Sequence, residues 1–79
     1  MRIDKIRKLK WADPFRPFEL IAQTGDVIRI ERSSAIALAP NGLSVAGFDP
    51  IGKSFYLPLA ELSAVRLSRL KRLPRDERR

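Results

Sequence analysis

Three turn signals punctuate the middle of this chain and leave little room there for an ordinary helix. They are Gly25-Asp26, Asn41-Gly42 and the run Asp49-Pro50-Ile51-Gly52-Lys53. Glycine supplies positive φ, proline fixes φ, and Asn-Gly is the strongest short-range hairpin signal a sequence carries. Between these signals the apolar residues recur with period two, the spacing of a strand buried on one face. In "FELIAQT", Phe18, Leu20 and Ala22 oppose Glu19 and Gln23, although Ile21 spoils the alternation. "VIRIER" turns Ile28 and Ile30 inward and Arg29 and Glu31 outward. Ile36 and Leu38 form one face of the next strand, Leu43 and Val45 resume beyond Asn41-Gly42, and Gly47 permits a bulge or a close backbone approach. "SFYLPL" sends Phe55, Leu57 and Leu59 inward and Tyr56 outward. Pro58 has no N–H to donate, so this strand lies at an edge or ends there. "AEL" is a one-turn connector, and "SAVRLSRL" is a last strand with Val65 and Leu67 opposite Arg66 and Ser68. A helix from Pro58 to Leu73 competes for this region, but its leucine spacing breaks between Leu62 and Leu67, and the strand is preferred.

The N-terminus has a different period. Ile3, Ile6 and Leu9 recur every third residue with Arg2, Lys5, Arg7 and Lys8 on other faces, which predicts a short amphipathic helix over residues 1–13. Pro14 pushes its predecessor out of the α region and ends it. Next comes "PFRPF", the most distinctive stretch. In an extended conformation Phe15 and Phe18 share one ridge, and Pro14 and Pro17 restrict the turn into the first strand. The reading preferred is a strut in which Trp11, Pro14, Phe15, Pro17 and Phe18 close one end of the core. The rival is a PxxP ligand for a partner domain, which would leave two large aromatics wet.

Together these patterns predict a mainly β chain. The expected form is a small, strongly bent antiparallel sheet, or an SH3-like or Sm-like barrel of five to six strands, with a short N-terminal helix. Residues 14–73 form the barrel and 74–79 a disordered basic tail. At 79 residues the chain is one domain with a thin core, burying about 60% of its unfolded surface. It has neither cysteine nor histidine, so disulfides and the usual zinc ligands are excluded together.

Several segments also resemble a group of short uncharacterised bacterial proteins: "PFRPFEL", the "TGD" turn, "AIALAPNG" and the closing "LPLAELSAVRL". The likeness spans roughly residues 5–68, and its specific part is Pro-Phe-Arg-Pro-Phe. The resemblance implies a shared fold and no site residues. This chain departs from the group in carrying "ERSS" where His-Pro-Glu is expected, and in its long basic tail.

Charge sits at the ends. Residues 1–13 hold five Lys/Arg against two Asp, and residues 66–79 hold seven against Asp76 and Glu77, while the body between is nearly neutral. Lys5, Lys8, Lys10, Arg66, Arg69, Lys71, Arg72 and Arg75 are therefore the candidates for contacting nucleic-acid phosphates, weakly and with little sequence preference. They need the helix and the last strand to be neighbours. Tyr56 and Phe48 are the aromatics available for stacking, because Trp11, Phe15, Phe18 and Phe55 are expected in the core.

Catalysis finds little support: Asp26, Asp49 and Glu61 sit in turns, and nothing in the spacing brings Ser33-Ser34 to Lys53. No cofactor, metal or small-molecule substrate is expected. No apolar run reaches the roughly 18 residues of a membrane span, and a cytoplasmic location is the expectation. A basic helix lying on anionic lipid would have to pull Ile3, Ile6 and Leu9 from the core. The leading function is a non-enzymatic module that binds a partner protein or its own second copy as a homodimer, with nucleic-acid binding the alternative.

Overall fold

The computed structural model describes residues 2–68. Helix α1 (Ile3–Lys10) is followed by β1 (Phe18–Ala22), β2 (Val27–Ile30), β3 (Ile36–Leu38), β4 (Ser44–Phe48), β5 (Ser54–Pro58) and β6 (Leu62–Leu67). Single 3-10 turns, Ser33–Ala35 and Leu59–Glu61, precede β3 and β6. The preference for a strand after Pro58 holds through Leu67. The expected tail, residues 74–79, lies outside the described residues.

All pairing is antiparallel, in two three-stranded sheets ordered β2-β1-β6 and β3-β4-β5. The expected barrel does not close. β2 stops at Ile30, and Ser33-Ser34 then turns the chain locally, with Ala35 N–H donating to the Arg32 carbonyl at 3.0 Å. Among the described residues no strand therefore runs through both sheets. A cleft of about 390 Å³ separates the start of β2, at Val27 and Ile28, from the start of β5, at Ser54 and Phe55.

The Asn41-Gly42 hairpin is longer than the two-residue turn its sequence predicts. Gly42 alone takes positive φ (74°); Ala39 N–H donates to Ser44 O at 3.0 Å, leaving residues 40–43 as the loop. Leu43 is consequently exposed rather than carrying on the strand face.

The core forms where the two inner sheet faces and α1 meet. Ile6, Phe18, Leu20, Ile30 and Val45 are fully enclosed, completed by Ile36, Leu57, Leu59, Leu62 and Val65. The period-two reading placed nearly all of these inward. Leu67, also expected inward, is exposed at the end of β6. On the helix, Ile6 is buried while Ile3 and Leu9 pack against the core from its sides. Lys10 fixes the helix against the second sheet by donating to the carbonyls of Ser33 (2.6 Å) and Ile36 (2.7 Å).

The strut is smaller than predicted. Phe15 packs on the core and Phe18 is enclosed, their rings 5.9 Å apart at 56°. Pro17 is half-buried, and its carbonyl accepts the Ser68 N–H at 3.0 Å, tying this segment to the end of β6. Pro14 is exposed, and Trp11 is not in the core at all, being 66% exposed. The reason is angular: at 3.6 residues per turn, Trp11 points about 140° away from Ile6. Its ring lies instead under the Lys10 ammonium, 4.7 Å from the centroid.

Candidate interaction surfaces

The two sheets turn unlike faces to water. On the outer face of the first, the register sets Arg29, Glu19 and Arg66 in one row across three strands. Glu19 is only 8% exposed despite facing away from the core. Arg66 Nε donates to Glu19 Oε1 at 2.8 Å and Ser68 Oγ to Oε2 at 3.4 Å, while Arg29 bonds Glu31 and Ser68. A carboxylate removed from water is tolerable when charged partners satisfy it. The row is thus a built ladder fixing three strands together. Replacing Glu19 with Ala is expected to cost about 2 kcal/mol, the scale of lost hydrogen bonds to charged groups. The exposed control Glu61→Ala should stay within about 0.5 kcal/mol. Urea unfolding compares them, and equal midpoints would show the ladder contributes nothing.

The outer face of the second sheet has no charge on its strands. Its central row is Ala37, Ala46 and Tyr56, with Phe48 opposite Ser54 in the next row. Tyr56 is 68% and Phe48 54% exposed. Phe48 lies diagonal to Tyr56 across the β4–β5 pair, a spacing of about 7–8 Å that two aromatic rings can bridge. At the tip of the same hairpin Ile51 is 86% exposed. The loop holding it is firmly built: Asp49 Oδ1 accepts from the backbone of Ile51 (3.1 Å) and Lys53 (2.8 Å), and Asp49 N–H donates to Lys53 O at 2.9 Å. Three large apolar side chains are thus held in water by a well-bonded hairpin.

The basic residues predicted to share one surface are divided between elements. Lys5 and Lys8 are exposed on α1, which packs against β3. Lys10 is bonded to the two carbonyls described above, and Arg66, in the other sheet, is bonded to Glu19. Arg69, Lys71, Arg72 and Arg75 lie outside the described residues. Two of the four described candidates are therefore bonded within the chain, Lys10 to backbone carbonyls and the exposed Arg66 to Glu19. Tyr56 and Phe48 are exposed as expected of a stacking pair, but among the described residues no lysine or arginine stands on their sheet face.

Reading the sequence strand by strand missed the Glu19 ladder, since alternation only marks Glu19 as outward. The signal lies in the register, which places an arginine opposite Glu19 on each side. Among the described residues no group of three acidic, cysteine or histidine side chains is arranged to hold a metal, and no helix is long and apolar enough to cross a membrane. No protein-family model, curated protein or solved structure matches the chain.

Proposed function

We propose that this protein is a non-enzymatic interaction module whose partner, a protein, docks on the outer face of the β3-β4-β5 sheet. The observation that carries this is the β4–β5 hairpin, which holds Phe48, Ile51 and Tyr56 in water beside an uncharged sheet face. Nearly a third of the chain is charged, so a face without charge is a marked local departure. Exposed apolar surface grouped in this way is characteristic of interaction sites, and aromatics are the side chains most enriched there. Two open three-stranded sheets leave faces and edges available for docking, although fold alone does not fix function. Nucleic-acid binding is less well supported, because Lys10 is bonded to two carbonyls and Arg66, though exposed, is paired with Glu19.

A photo-crosslinking amino acid placed at Phe48 or Tyr56 tests the reading in cells expressing the chain. Protein adducts are expected at these two positions and not at Lys5 on the helix. Adducts with nucleic acid at Lys5, and none at Phe48 or Tyr56, would reverse the assignment.

A further inference from the structure

We infer that a second copy of the chain joins this sheet at the outer edge of β5, as an antiparallel β5–β5 pair that doubles the docking face rather than covering it. The inference rests on the interaction-module reading and adds self-association to it. Among the described residues the two sheets present four edges, on β2, β6, β3 and β5. Monomeric sheets protect edges with charge, cover or proline. Self-pairing of β2 or β6 would bring Arg29 or Arg66 towards its own copy, and like charges across a strand pair repel. The β3 edge is taken by α1, whose Lys10 Nζ occupies the Ile36 carbonyl at 2.7 Å. The β5 edge alone has no such guard along most of its length: Ser54, Phe55, Tyr56 and Leu57 carry no charge, and only Pro58 blunts its end.

The backbone of β5 is self-complementary about Tyr56. Asp49 N–H donates to Lys53 O and Leu59 N–H to Leu43 O, both at 2.9 Å. Given the register, these bonds fix which groups face β4: those of Lys53, Phe55, Leu57 and Leu59. The N–H and C=O of Ser54 and Tyr56 and the C=O of Pro58 point away from the sheet. Rotating a second copy about a two-fold axis at Tyr56 lets the two Tyr56 residues exchange both of their bonds. Each Ser54 N–H then meets the partner copy's Pro58 carbonyl. Proline's missing donor costs only the return bond. The product is a six-stranded sheet whose uncharged outer face, with Phe48 and Tyr56, runs unbroken across the axis. A chain of net charge +7 repels its copies, so a neutral edge is where they can approach.

Sedimentation and backbone amide exchange on the full chain, over a range of concentrations, test this. The mass is expected to rise from 9.0 kDa towards twice that value. In step with it, the Ser54 and Tyr56 amides, which face outward in one copy, should gain protection of tenfold or more. Tyr56→Lys sets like charges on the axis and should hold the chain at 9.0 kDa, with a melting curve matching the parent's at concentrations where the parent is monomeric. A single 9.0 kDa species at millimolar protein would overturn the second-copy inference, leaving the docking face to be judged by the crosslinks. A dimer without protection at Ser54 and Tyr56 would overturn edge pairing while keeping the face. Absence of both dimer and crosslinks would remove the two together.

Discussion

Gly47→Ala should unfold a large fraction of this protein under conditions where the parent chain is folded. A Cβ at this position would stand 1.9 Å from the Ala35 carbonyl oxygen, 2.9 Å from its carbon and 3.0 Å from Ile36 Cα. All three are backbone atoms, so no side chain can swing aside. The clash can only be relieved by parting β3 from β4, where Gly47 is the partner of Ile36. Overpacking of this kind costs about 3 kcal/mol or more. A domain of 79 residues has about 4–12 kcal/mol to lose, which makes that fraction large. The melting midpoint should fall by about 12–24 °C. Ala37→Ser, on the outer face of the same sheet, should stay within about 0.5 kcal/mol. A circular-dichroism melt of both variants decides the matter, and Gly47→Ala melting with the parent would mean that Ala35 does not press on β4. The position matters because Ala35 ends the 3-10 turn leading from one sheet to the other. Gly47 is where that passage is pinned.

How much of this was legible in the sequence depends on the range of the interaction. Period-two alternation and turn residues are local, and all six strands fall where they predict. Gly47 was recognisable as a bulge or close approach, though only the fold shows that Ala35 approaches it. Closure was misread because it depends on whether β2 and β3 run on as one strand, and the 3-10 turn Ser33–Ala35 that interrupts them carries no glycine or proline to mark it. Trp11 was misplaced because it was read as closing the end of the core with the strut, whereas its direction at the end of the helix points it away from Ile6. For the basic residues, charge could be counted but its engagement could not. Lys10 reaches carbonyls 23 and 26 residues away, and Arg66 a carboxylate 47 residues away. No pattern in a single strand announces contacts of that separation. The uncharged outer face of the second sheet likewise emerges only when three strands are set in register.

Phe18→Ala should be the most damaging truncation in the "PFRPF" segment, and the gradient along that segment separates strut from signal. Phe18 is fully buried, begins β1, and pairs with both Ile30 and Leu67. Emptying the site of a buried aromatic ring costs about 3–5 kcal/mol, the transfer loss compounded by the cavity. That approaches the whole stability of a small domain. Phe15, half-buried with its ring 5.9 Å from that of Phe18, should cost less when truncated, about 1–2 kcal/mol. Arg16, exposed between them, should change stability by no more than about 0.5 kcal/mol. A partner-read motif differs in its adducts rather than its melts, because its exposed members carry the recognition: Arg16→Ala would leave the melt untouched and abolish the crosslinked adducts. Urea titrations of the three variants, read beside their adduct yields, therefore give two distinct patterns. Stability falling in the order Phe18, Phe15, Arg16, with the Arg16→Ala adducts retained, assigns the segment to the fold. It leaves recognition to Phe48 and Tyr56, which lie further along the sequence and on the other sheet from Phe18.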